Sequence, residues 1–154
     1  MSRITLAVSA VAIVALGLGI AAQQKPAAAG PKVTVYKTSS CGCCRLWVDH
    51  MKSSGFDVQA MDVSSADVRA VSKAAGLKDE DTSCHTAKIG NYVVEGHVPA
   101  DDIKRMLKEK PAIAGLSAPG MPQGSPGMEQ GSKEPYDVIA FKKDGTSTVY
   151  AKHK

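Results

Sequence analysis

Aromatic side chains are scarce: the 154 residues include two Phe, four Tyr and a single Trp, Trp47. So thin a supply excludes an aromatic-lined ligand pocket and a ring platform for stacking nucleic-acid bases. The core has to be aliphatic. A dominant charge is missing as well. The formal net charge is +4, and +3 once Arg3 of the opening segment is set aside, a balance that implies no polyanion partner and no nucleic acid. With 44% hydrophobic and 22% charged residues, the chain fits neither a multi-span membrane protein nor a disordered one. Its length supports one domain with an appendage and leaves little room for two independent cores.

The appendage comes first. Met1-Ser2-Arg3 is a short basic head, followed by an apolar run from Ile4 to Ile20, small Ala21-Ala22 and polar Gln23-Gln24. Residues 1–22 therefore read as an export signal, and a periplasmic location follows. The run is long for a signal sequence and its cleavage site is imperfect, so an uncleaved inner-membrane anchor is the competing outcome. No cysteine follows the run directly, which argues against a lipid anchor. Residues 23–31, rich in Ala, Pro and Gly, read as a flexible tether, and residues 32–154 as the folded domain.

Strand-like and helix-like segments then alternate. Val33-Thr34-Val35-Tyr36 is a first strand leading into the turn residues Thr38-Ser39-Ser40. Cys43 to Ser54 places Leu46, Trp47, His50 and Met51 at helical spacing, with Gly55 as the stop. Phe56 to Val63 alternates at Phe56, Val58 and Ala60 until the pattern slips at Met61, which makes a second strand with an uncertain end. Ser64-Ser65 caps a helix from Ala66 to Ala75 that sets Val68, Val71 and Ala75 on one face and stops at Gly76. After a polar loop, Leu77 to Ser83, two strands (Thr86 to Ile89 and Tyr92 to Glu95) are joined by Gly90-Asn91 in a tight hairpin. Pro99 opens a third helix to about Lys110, with Ile103, Met106 and Leu107 inward and Asp101-Asp102 at its dipole-favoured start.

That βαβαββα order resembles the thioredoxin fold, in which a cysteine motif joins the first strand to the first helix, as Cys41-Gly42-Cys43-Cys44 does here. In that fold the loop entering the third strand carries a proline beside the cysteines, and Ser83-Cys84-His85-Thr86 stands there instead. By this analogy all four cysteines converge. Pro111 to Pro135 departs from a minimal unit of this kind: it reads as a long Gly/Pro/Met-rich loop carrying Pro119-Gly120-Met121 and Pro126-Gly127-Met128. Val138 to Phe141 and Thr146 to Tyr150 form a C-terminal β-hairpin around Asp144-Gly145.

Three of the four cysteines fall within four consecutive positions, so they cannot act as spread-out staples. Cys41 and Cys44 have the spacing of a redox pair at a helix N-terminus, where the dipole lowers a thiol pKa. Three thiolates so close repel one another, and a bound cation lets all of them stay deprotonated. Thiolates favour Cu(I), with zinc the main competitor. Metal binding and disulfide exchange both stay open on this evidence.

The remaining donors differ in rank. His85 follows Cys84 directly and shares its loop, as a ligand or as a support for one. His97, in Glu95-Gly96-His97-Val98-Pro99, is a ligand candidate or a simple turn residue. His50 lies about 10 Å along the helix from Cys43, at about 1.5 Å per residue, too far to hold the same ion. His153 sits in a terminus expected to fray. Trp47 reads as a core or site-shielding ring. Met121 and Met128, at matched positions of the repeated tripeptide, are either gap fillers or soft thioether ligands.

Taken together, Thr38-Ser39-Ser40-Cys41-Gly42-Cys43-Cys44, Ser83-Cys84-His85-Thr86-Ala87, Glu95-Gly96-His97-Val98-Pro99-Ala100 and the stretch from Gly115-Leu116 through Pro119-Gly120-Met121-Pro122 to Gly124-Ser125-Pro126-Gly127-Met128-Glu129 resemble the CopG-type periplasmic copper-resistance family over roughly Val33 to Tyr150. The resemblance implies a thioredoxin-like domain that binds copper through Cys41, Cys43, Cys44 and Cys84, with His85, His97, Met121 and Met128 as further ligand candidates. It also implies a multinuclear cluster, interconversion of Cu(I) and Cu(II), and periplasmic copper-handling or electron-transfer proteins as partners. A thiol-disulfide oxidoreductase using Cys41 and Cys44 and a zinc-stabilised structural module are the two alternatives.

Overall fold

The structure is a computed structural model and describes residues 30–154. The expected leader, residues 1–22, and residues 23–29 of the expected tether lie outside the described residues.

The β-branched run forms β1 (Lys32–Lys37), in which fully buried Val33 and Val35 alternate with half-buried Thr34 and Tyr36. Helix α1 (Gly42–Ser53) follows, capped by Cys41, and buries Cys44, Trp47, Val48 and Met51 on one stripe. Gly55, at φ +92°, turns the chain into β2 (Asp57–Asp62), which pairs parallel with β1. The slip at Met61 does not end this strand, because Met61 stays in register with Tyr36. The expected inward alternation fades all the same: Phe56 is buried, Val58 half-buried and Ala60 exposed, as suits an edge strand with one neighbour. Ser64 accepts from the Asp67 backbone N–H at 3.1 Å and starts α2 (Ser65–Ala74). Val68 is buried on it, while Val71 and Ala75 are half-buried.

The expected polar loop after α2 contains a single tight turn at Asp79–Asp81 and buries Leu77. Strands β3 (His85–Ile89) and β4 (Tyr92–Gly96) form the expected hairpin, in which Gly90 alone of its turn pair takes positive φ, at +57°. Helix α3 (Ala100–Glu109) begins after Pro99 and buries Ile103 and Met106, with Leu107 half-buried. The βαβαββα order read from the sequence is the order found.

The long loop expected over Pro111 to Pro135 is corrected by a strand within it. β5 (Gly115–Ala118) runs parallel to β4 and antiparallel to β6 (Tyr136–Phe141), and all four of its residues are buried. A strand buried on both faces shows no alternation, and Gly-Leu-Ser-Ala has little β propensity, so neither signal marked it. Gly115 is needed there, since a Cβ would lie 1.7 Å from the Val93 carbonyl oxygen. β7 (Ser147–His153) completes the C-terminal hairpin and a seven-stranded sheet in the order β2-β1-β3-β4-β5-β6-β7. The terminus is not frayed: His153 ends β7, meets Asp102 at 2.7 Å and stacks on Tyr136. Among the described residues no helix is long and apolar enough to cross a membrane.

Two cores lie against the sheet. Trp47, Val48 and Met51 of α1 and Ile103 and Met106 of α3 pack on one face against Val33, Val35, Ala87, Val94, Leu116 and Val138. The opposite face carries a smaller cluster of Leu77, Val93, Ala114 and Phe141. Adjacent Val93 and Val94 fall in different clusters, as the twofold period of a strand requires. Trp47 is fully buried and donates from Nε1 to the Val98 carbonyl at 2.9 Å. Its truncation to Ala would cost about 3–5 kcal/mol on the usual scale of buried aromatic deletions.

His50, set aside as a ligand, has a structural task. Pro99 supplies no side-chain cap to α3, and His50 Nε2 instead accepts the Ala100 backbone N–H at 3.1 Å. Only the unprotonated nitrogen can accept, and burial holds the imidazole below its ordinary value. A base depressed in the folded state contributes stability that is present above its unfolded value and lost as pH falls through the folded one. His50→Ala should therefore lower unfolding free energy by about 1 kcal/mol at pH 8. As pH falls below the ordinary histidine value and through the lowered folded one, the gap to wild type should narrow and then close in denaturant titrations.

Candidate metal centre

The sheet ends β1 and starts β3 side by side, with Lys37 opposite His85, and so brings the two cysteine-bearing loops together. Cys41 is the N-cap of α1 and its Sγ accepts the Cys44 backbone N–H at 3.3 Å. Cys41 and Cys44 are joined as a disulfide, whereas Cys43 and Cys84 are free. The free sulfurs flank the bridge. Cys43 Sγ lies 3.6 Å from Cys41 Sγ, and Cys84 Sγ lies 3.4 Å from Cys44 Sγ and 3.9 Å from Cys43 Sγ. The four cysteines the sequence singled out thus share one site, with Cys44 fully buried and the other three partly accessible.

Two imidazoles complete it. His97 Nε2 lies 3.1 Å from Cys84 Sγ and His85 Nδ1 lies 3.4 Å from the same sulfur. Potential ligand atoms therefore fall into two groups, Cys41, Cys43, Cys44 and Cys84 in one and Cys84, His85 and His97 in the other, each within 4.8 Å of one another. Cys84 belongs to both. His97 Nδ1 donates to the Pro126 carbonyl at 2.8 Å, which orients the ring and leaves Nε2 unprotonated toward the sulfur. A backbone carbonyl on the far nitrogen is the usual support of a metal-binding imidazole. His85 is fully buried between Trp47 and His97, with ring centroids 4.5 and 5.0 Å away, and its Nε2 has no hydrogen-bond partner. Nδ1 is the nitrogen beside the thiol, and the orphaned Nε2 is a separate buried polar atom that lacks a partner.

The electrostatics favour neutral groups in the absence of a cation. Burial, then the neighbouring His97, holds His85 well below the ordinary histidine value, and burial lowers His97 too. Burial and the nearby Cys43 push the Cys84 thiol up to about 12. A metal ion arriving here would displace that proton.

Supporting groups surround the donors, of which the sequence reading did not single out Glu95. Glu95 is buried, accepts the Ser83 backbone N–H at 2.8 Å and meets Thr86 Oγ1 at 2.6 Å, so it fixes the loop that carries Cys84. Burial pushes its carboxyl up to about 7. Its signal was available, as the lone acid in the strand Tyr92-Val93-Val94-Glu95-Gly96. Gly96, at φ +70°, lets the chain pass Ser83 and turn His97 onto the sulfur; a Cβ would sit 2.6 Å from the Ser83 Cβ.

The repeated tripeptides hold the site from two sides. Gly120 donates to the Thr82 carbonyl at 2.9 Å and its own carbonyl accepts from Ser83 Oγ, clasping the Cys84 loop. Pro126 orients His97, and Glu129 Oε2 accepts the Gly127 backbone N–H at 2.8 Å. These contacts are made by backbone rather than by thioethers: Met121 is exposed and Met128 half-buried. His50 and His153, set aside as ligands, bind Ala100 and Asp102 instead.

Gly127 and Gly120 offer a matched test. Both have positive φ, +87° and +69°, yet a Cβ at Gly127 would lie 2.8 Å from the Cys43 oxygen and 2.9 Å from the Trp47 nitrogen, while nothing lies within 4 Å at Gly120. Gly120→Ala should cost about 1 kcal/mol of backbone strain. Gly127→Ala should cost measurably more in denaturant titrations, because the His97 loop must move off α1.

A family described as "Protein of unknown function, DUF411" matches residues 82–128. No curated protein sequence matches the chain. Two solved structures, forms 1 and 2 of a protein named copper resistance protein CopG, are each 38% identical to this chain with TM-scores of 0.74. They align over 80% and 81% of this chain and over 98% and 99% of their own length.

Proposed function

Because the chain belongs to the CopG family of copper resistance proteins, we propose that it is an exported copper-binding protein of copper resistance that holds Cu(I) at the cluster centred on Cys84. The observation that carries this reading is the shared sulfur: Cys84 belongs to both donor groups, so a thiolate face and an imidazole face meet at one atom. Reduced, the site offers the sulfurs of Cys41, Cys43, Cys44 and Cys84 together with His85 and His97, more donors than one tetrahedral ion takes, which supports a multinuclear cluster. Soft thiolates select Cu(I), with zinc the weaker competitor. Met121 and Met128 are proposed as accessory thioether donors at the rim.

The disulfide links copper binding to redox chemistry. With Cys41 and Cys44 bridged, the donors left are Cys43, Cys84, His85 and His97, a set richer in imidazole and better suited to Cu(II). The reduced pair of Cys41 and Cys44 holds two electrons that the disulfide lacks. Two Cu(II) ions and the two thiols of Cys41 and Cys44 would give two Cu(I) ions, the disulfide and two protons, a balanced exchange within the cluster. The leader over residues 1–22 would place this chemistry in the periplasm, where disulfides persist, and copper-handling or electron-transfer proteins there are the proposed partners. Retention of the leader as an anchor would be its only membrane contact.

The bridged Cys41–Cys44 pair at the start of α1 favours a second reading, a thiol-disulfide oxidoreductase in which Cys41 attacks and Cys44 resolves. Anaerobic Cu(I) titration of the reduced domain against a chromophoric competitor separates the two. Cys84→Ser should weaken Cu(I) binding more than any other single cysteine change, and His97→Ala should weaken it by about 10- to 100-fold. Apparent affinity should rise with pH, since each bound thiolate releases a proton. Weak binding that is indifferent to Cys43 and Cys84, joined to turnover of a disulfide substrate such as insulin, would establish the oxidoreductase.

A further inference from the structure

A cavity of about 220 Å3 opens onto the cysteine motif, with Thr38, Cys41, Ser65, Arg69, Ser83 and Cys84 in its wall. It is smaller than the ~300 Å3 at which sites for drug-sized ligands begin. Only a small molecule fits.

Of the bridged pair, Cys41 alone faces this cavity, while Cys44 is fully buried behind it. The mouth is positively polarised. Arg69, exposed on α2, is the one charged side chain in the wall and has no ion pair among the described residues. Helix α1 also begins here, at its cap Cys41, and sets its positive dipole end at the opening, while the start of α2 at Ser65 carries Asp67 in its first turn, which offsets that helix's dipole. Thr38 and Ser65 add hydroxyls to the wall.

We propose that this mouth binds a low-molecular-weight thiol bearing a carboxylate, the reductant that opens the Cys41–Cys44 disulfide and so prepares the thiolate site for copper. The inference rests on the copper-thiolate reading above and adds its reductant and point of approach. The incoming thiolate bonds to Cys41 Sγ, the Cys41–Cys44 bond breaks, and the electron pair leaves on the Cys44 sulfur, which takes up a proton or a copper ion. A second small thiolate then attacks the attached sulfur, leaves as a small-molecule disulfide and frees Cys41 as its thiolate. Two external thiols are oxidised and one protein disulfide is reduced, with two electrons transferred. Arg69 holds the carboxylate, and burial of Cys44 directs attack to Cys41.

The test compares three thiols of similar size on the oxidised, copper-free domain under anaerobic conditions: anionic mercaptopropionate, neutral mercaptoethanol and cationic cysteamine. Rates of disulfide opening are expressed per thiolate present, and the acid-quenched mixed disulfide is located by peptide mass spectrometry. Mercaptopropionate should react about three- to tenfold faster than cysteamine in wild type, the scale of one exposed charge pair, and salt should reduce the gap. Arg69→Gln should remove most of this preference, Arg69→Glu should reverse it, Arg69→Lys should retain it, and the adduct should form on Cys41. A preference as large in Arg69→Gln as in wild type, or an adduct on Cys44, would overturn the proposal. A parallel Cu(I) titration of prereduced wild type keeps the outcomes distinct, since failure to bind copper would overturn the copper reading and not the docking of the thiol.

Discussion

The Cys84 sulfur sits where a loop entering β3 meets the start of α1 and the turn after β4, and most of the surrounding structure serves to keep it there. Glu95 fixes its loop from below through the Ser83 backbone, Gly120 clasps the loop from one side, and Pro126 sets the angle of the imidazole that faces it. None of these groups needs to touch a metal. Their task is to hold a sulfur and two ring nitrogens at ligand spacing before any ion arrives, which lowers the ordering cost of binding.

That preorganisation has an electrostatic consequence. A thiol raised to about 12 and two imidazoles lowered by burial form a neutral, desolvated cluster that disfavours both anionic sulfur and cationic imidazole. Only a cation can make the thiolates stable there, so metal affinity and proton release are coupled by construction. The disulfide is the other way to relieve crowded thiolates, and its formation by Cys41 and Cys44 uses no donor atom of the group formed by Cys84, His85 and His97. The two states of one cysteine pair thereby offer copper two different donor sets.

Much of this was legible in the chain because its strongest signals are local. Cysteines at positions 41, 43 and 44 with a strand before them and a helical stripe after them define the helix-start geometry directly, and Cys84 was placed beside them through the resemblance of the element order to the thioredoxin fold. β5 was not legible: Gly115–Ala118 is short, buried on both faces and held by neighbours distant in sequence. His97 looked as much like a turn residue as a ligand because its role depends on the Pro126 carbonyl, 29 residues away. The glycine of the second tripeptide carries the same lesson. The sequence pattern drew attention to its methionine, whereas Gly127 is what allows the loop to lie against Cys43 and Trp47.

The central claim is that Cys84 joins the thiolate and imidazole donors into one copper site. X-ray absorption at the copper K edge of the Cu(I)-loaded, reduced domain tests it most directly. The account predicts sulfur and imidazole scatterers together around copper, with the imidazole contribution lost in a His85→Ala, His97→Ala double variant and the sulfur contribution retained. A sulfur-only shell that the double variant leaves unchanged, or a shell of light atoms without sulfur, would contradict it.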